Sequence, residues 1–163
     1  MIARALLAFA TLWLAGCAAT KPDHPFRAET SQNATIRWQR ADTTLHCEAV
    51  FARAVDGQVQ VHLFKGTPKP ILSLDLAPFG NLTASGKLAS FGWRGPFTSA
   101  PAPLLGWAHL LRAYQACATW PDGQSELHAP NVRTAITIVG GKPEVISVAS
   151  ELARETITAV FTP

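Results

Sequence analysis

The side chains best able to do chemistry are thinly spread. His46 and Glu48 stand two apart, a spacing that puts both on one face of a strand. His109 and Arg112 stand three apart, which makes them neighbours on one side of a helix. Glu126 and His128 repeat the spacing of two. A histidine beside a carboxylate can move a proton, but none of these has a nucleophile at a recognisable spacing. There is no G-x-S-x-G, no H-E-x-x-H and no phosphate-cradling glycine loop. No CxxC or Cys/His cluster points to a metal. The expectation is a protein that is not an enzyme and carries no cofactor or metal. A catalytic reading would need His46, His109 or His128 to sit together in a cleft with a carboxylate.

The chemistry that stands out sits at the N-terminus. Arg4 precedes an apolar run from Ala5 to Leu14, followed by Ala15, Gly16 and Cys17. A short charged start, an apolar core and small residues before a cut are the layout of a secretory signal. The run is about ten residues, whereas a helix spanning a ~30 Å hydrocarbon core needs roughly 20. Leu14-Ala15-Gly16-Cys17 resembles the lipobox of bacterial lipoproteins. The resemblance implies cleavage after residue 16, a diacylglyceryl thioether on Cys17 and acylation of the new terminus. With Ala18 rather than aspartate following, it also implies sorting to the outer membrane, with the domain facing the periplasm. Two acylation signals already hold a protein stably to a bilayer.

Composition narrows the rest. Lys and Arg total 14 against 11 Asp and Glu, and no stretch forms a basic arm, so nucleic acid is not an expected partner. Residues 1–16 are read as signal, 17–33 as a polar tether with Pro22 and Pro25, and 34–163 as a single β-rich domain. In an oxidising compartment Cys47 and Cys117 are allowed to pair. They are equally readable as two buried thiols acting as small hydrophobes.

Hydrophobic period supplies the elements. Leu45, Cys47, Ala49 and Phe51 alternate with His46, Glu48 and Val50, and Val59, Val61 and Leu63 with Gln58, Gln60 and His62. Asp56-Gly57 between them predicts a two-residue type I′ hairpin. Leu72, Leu74 and Leu76 share one face of a further strand, "NLTASG" and "KLASFGW" give two short ones, and "VRTAITIV", "EVISVAS" and "ETITAVF" follow, with Gly140-Gly141 as another turn. "NATIRWQR" reads as an edge strand with Ile36 and Trp38 on opposite faces. The total is about eight or nine strands without β-α-β alternation, hence an antiparallel sheet.

One stretch breaks the pattern. From Leu104 to Cys117 the polar residues are His109, Arg112 and Gln115, and at 100° per residue they span only about 120° of a helix. The remaining arc is apolar, so this helix should be covered on more than one side. A curved antiparallel sheet wrapped around it would do so. Trp38, Phe51, Phe91, Trp93, Leu104, Trp107, Leu111 and Tyr114 are then the candidates to line an apolar groove between sheet and helix; the alternative is that they are plain core. Arg94, beside Trp93, would sit at the rim, able to meet a phosphate or carboxylate; the alternative is a solvated side chain.

The segment "LSLDLAPFGNLTASGKLASFGWRG", with Pro78-Phe79-Gly80 at its turn and the apolar helix after it, resembles the LolA/LolB group of lipoprotein carriers over residues 44–120. That resemblance implies an unclosed β-barrel with a helix across its mouth. It also implies binding of an acyl chain, or of a lipoprotein's lipid, by shielding and hand-over without covalent chemistry. A structural lipoprotein that recruits an envelope protein partner is the competing expectation.

Overall fold

The computed structural model describes residues 26–163. The expected signal segment, Cys17 and the first part of the tether lie outside the described residues. Ten strands form one antiparallel sheet: β1 (Ala28–Arg40), β2 (Thr43–Ala54), β3 (Val59–Phe64), β4 (Leu72–Leu76), β5 (Asn81–Ser85), β6 (Trp93–Pro96), β7 (Gly123–Ala129), β8 (Val132–Val139), β9 (Lys142–Ser150) and β10 (Glu155–Phe161). The helix α1 (Ala102–Ala116) lies between β6 and β7 in the chain. Spatial order is β6-β5-β4-β3-β2-β1-β10-β9-β8-β7. The sheet is unclosed, with β6 and β7 at its two edges. β1 pairs with β2 over Ala28–Arg40 and with β10 over Ala34–Arg40, so its second half is held on both sides.

Alternation decides which face is buried. Along β3, Val59, Val61 and Leu63 are buried while Gln60 and His62 stay half-exposed. The same phase runs through Leu72, Leu74 and Leu76 on β4, and through Val132, Thr134, Ile136 and Ile138 on β8. The helix touches β8, β9 and β10 on one half of the sheet and β3 and β4 on the other. A single helix reaches both halves only if the sheet curls around it. The expected architecture is thus the one observed.

Four details differ. β1 begins at Ala28, six residues before the expected start of the domain, and it lies at the centre of the sheet, not at an edge. Ile36 and Trp38 share a face, as a period of two requires: Ile36 is fully buried and Trp38 packs against the core from the same side. The Asp56-Gly57 hairpin has a three-residue loop, not a two-residue one. Gly57 N–H donates to Ala54 O at 3.0 Å, and only Gly57 has positive φ, +85°. That is a turn closed by a left-handed glycine bulge, braced by Asp56 Oδ1 accepting from Gln58 N–H at 3.0 Å. Finally, "KLASFGW" does not form one strand. Lys87–Ala89 is a turn of 3₁₀ helix, and β6 starts only at Trp93.

The Gly140-Gly141 turn has both glycines at positive φ, 59° and 72°, as a two-residue primed turn demands. Asp122 tethers it by accepting both glycine N–H groups, at 2.8 and 2.7 Å.

Candidate functional site between the helix and the sheet

Pro101-Ala102-Pro103 starts α1, where a missing N–H costs nothing, and no side chain caps its N-terminus. Leu104, Trp107, Ala108, Leu110, Leu111, Ala113 and Tyr114 are buried. His109 and Gln115 are half-exposed and Arg112 is exposed, so the polar stripe is where the spacing put it. His109 and Arg112 both rest near Phe97, with ring centroids 6.1 Å apart for His109 and the guanidinium 5.9 Å from the ring. Burial lowers the His109 pKa from its ordinary value.

Two aromatic groups fix the helix to the sheet. Trp107 meets Trp38 edge-on, with centroids 5.4 Å apart. Tyr114 lies 4.9 Å from Phe51 and 5.5 Å from Phe161, and Phe51 lies 4.9 Å from Phe161. The Arg53 guanidinium sits 4.8 Å above the Tyr114 ring and donates to the Tyr114 carbonyl, while Tyr114 O–H donates to Gln32 Oε1 at 3.3 Å.

Polar groups are buried among these rings. Glu155 is 4% exposed and accepts from Trp38 Nε1–H at 2.8 Å. Burial raises its carboxyl pKa, against the opposing effects of the Trp38 hydrogen bond, the Gly106 backbone and Arg40. Its other oxygen, Oε1, has no hydrogen-bond partner, nor has the indole Nε1 of the fully buried Trp107. A buried polar group left unpaired costs about 1–3 kcal/mol. The seal between helix and sheet is therefore less favourable than its apolar area alone implies.

The groove candidates divide. Phe51, Leu104, Trp107, Leu111 and Tyr114 converge at the helix–sheet interface at 0–2% exposure, so in this state they fill the interior and line no open groove. Trp38 is half-buried beside them. Trp93 is half-buried on the edge strand β6, its ring folded over Gly95, and does not stand free. Phe91 is 58% exposed and does not enter the interior. Arg94 is exposed on β6, paired in register with Thr83. Cys47 and Cys117 are both buried and free, so the allowed disulfide is not formed; burial pushes each thiol up to about 11.

The histidines do not converge. His46 is exposed on β2, His109 lies on α1, and His128 pairs with Glu126 at 3.3 Å on the exposed strand β7. Among the described residues no three His, Cys, Asp or Glu side chains gather as a metal site.

Spacing had not singled out Glu155, Arg53 or Phe161. The phase of "ETITAVF" held the signal for two of them, because Glu155 and Phe161 share the inward face with Ile157 and Ala159.

No family model matches this chain, and no curated protein matches it. In fold it is similar to a LolA superfamily protein from Nitrosomonas europaea. That crystal structure is 9% identical in sequence with a TM-score of 0.45, over 82% of this chain and 83% of that one. The architecture stated above rests on this chain's own strand order and helix contacts.

Proposed function

We propose that this chain is a lipoprotein, anchored through Cys17 to the outer membrane and facing the periplasm, whose domain binds an acyl chain or the lipid of a lipoprotein cargo. It acts by shielding and hand-over, with no covalent step. The observation that carries this reading is that an unclosed sheet is plugged by one separately connected apolar helix. Moving α1 outward uncovers a continuous apolar surface without breaking a sheet ladder. Each methylene of a chain that took the helix's place would contribute about 0.8 kcal/mol.

The unpaired Trp107 Nε1 and Glu155 Oε1 support it further, since they lower the cost of parting α1 from β10. The test is native mass spectrometry of residues 26–163 after loading with palmitate. A one-to-one adduct is expected. A folded protein that takes up no fatty acid under any loading condition would overturn the reading.

The filled interior favours a second reading, a tethered structural protein that recruits an envelope partner. Phe79, 97% exposed in the β4–β5 turn, and Val55, 82% exposed in the β2–β3 turn, lie at one end of the sheet as apolar contacts for it. A failed loading experiment together with specific capture of an envelope protein, lost on Phe79→Ser, would decide for this alternative.

A further inference from the structure

Away from the interior, one cleft carries an uneven charge. The loop Lys65–Ile71 leaves β3 and enters β4, and a cleft of about 620 Å³ opens between it and the Gly86-Lys87 corner. Pro70 and Ile71 give it an apolar wall, and Lys65, Lys69, Lys87 and Thr67 line the rest. No carboxylate lines it. Glu48 belongs to the adjoining cleft of about 560 Å³, which it shares with His46 and Lys65. Among the described residues the ion pair formed is His128 with Glu126 on β7, so none of the three lysines is paired.

The backbone holds the two segments that carry these exposed lysines together. Ile71 N–H donates to Leu63 O at 2.7 Å, and Leu88 N–H donates to Ile71 O at 2.9 Å. The two segments approach so closely that a Cβ on Gly86, whose φ is +109°, would lie 2.8 Å from Ile71 O. Thr67 O–H donates to Lys69 O at 3.2 Å, fixing the loop's bend. Lys69 and Lys87, distant in sequence, thus face one space across a rigid joint. Like charges so placed repel unless an anion sits among them.

We propose that this cleft binds a phosphate group. Lysine serves phosphate as a compact point charge with three rotatable donors. Three of them around one opening match an anion that offers several oxygens. The Pro70–Ile71 wall would seat the carbon carrying the phosphate, so a lipid headgroup and a free phosphate share the required chemistry. The site goes beyond acyl binding and does not require α1 to move.

The test is amide NMR of residues 26–163 titrated at fixed ionic strength, with inorganic phosphate in one arm and monomeric short-chain phosphatidylglycerol in the other. Saturable shifts are expected at Lys69, Ile71, Gly86 and Leu88. Lys69→Gln and Lys87→Gln should each weaken binding roughly tenfold, while Lys142→Gln at the far β8–β9 turn should leave it unchanged. Saturation by inorganic phosphate supports a free-anion site, and saturation by phosphatidylglycerol alone supports a headgroup site. No saturable shift in either arm, or equal behaviour of the Lys69, Lys87 and Lys142 variants, overturns the proposal.

Discussion

Gly106 on α1 lies directly against the Glu155 carboxyl on β10. A Cβ at Gly106 would fall 2.6 Å from Glu155 Oε1 and 3.0 Å from Ile157 Cδ1. In an isolated helix Gly106→Ala would gain up to about 1 kcal/mol. Here overpacking costs about 1–3 kcal/mol and reverses the sign. Urea denaturation should show a net loss. Adding Glu155→Ala should make the Gly106→Ala step less costly by removing the closer of the two contacts.

The same carboxyl sets a pH dependence. Its folded pKa is raised above the ordinary 4.5, so folding favours the protonated form. Its contribution to stability is fully present below the unfolded value and is lost as pH rises through the raised folded value. Glu155→Gln keeps an acceptor for Trp38 and cannot ionise. Thermal melts from about pH 4 to 8 should therefore show the natural protein losing ground to the glutamine variant as pH rises. A constant difference between the two would contradict the assignment.

Phe51 on β2 packs against Tyr114 of α1 and Phe161 of β10 and is fully buried. Phe51→Ala should cost about 3–5 kcal/mol. Tyr114→Phe, which removes the hydroxyl's 3.3 Å hydrogen bond to Gln32 and its contact with Thr30, should cost about 1 kcal/mol. Chemical denaturation of the two variants separates packing from hydrogen bonding at one ring.

Cys47 and Cys117 should resist alkylation at pH about 8 in the folded protein, because burial pushes both thiols up to about 11. Both should be modified once the chain unfolds, and reductant should leave the denaturation midpoint unmoved. A reductant-sensitive midpoint would mean that the two are joined.

Strands with one wet and one dry face were legible, because alternation is written into Val59–Leu63, Leu72–Leu76 and Val132–Ile138. Strand β7 was not legible. Gly123–Ala129 is solvated on both faces, so its residues carry no period. The helix and its polar stripe could be read from three polar residues spaced three apart. Whether the space beneath it is open could not be read, since that depends on how Trp107, Tyr114 and Phe51 interlock in three dimensions. Phe91 shows the limit in the other direction: an aromatic type alone does not place a side chain inside.

The most direct test of acyl binding beneath α1 uses Trp107, whose buried indole N–H has no protein partner. Residues 26–163 are titrated with a stearate carrying a nitroxide along its chain, and the indole N–H and backbone amide signals are followed by NMR. The Trp107 signal should broaden at stoichiometric ligand and recover when the nitroxide is reduced. A Trp107 signal that stays sharp while only exposed residues such as Phe79 and Phe91 broaden would mean that the chain never enters the interior.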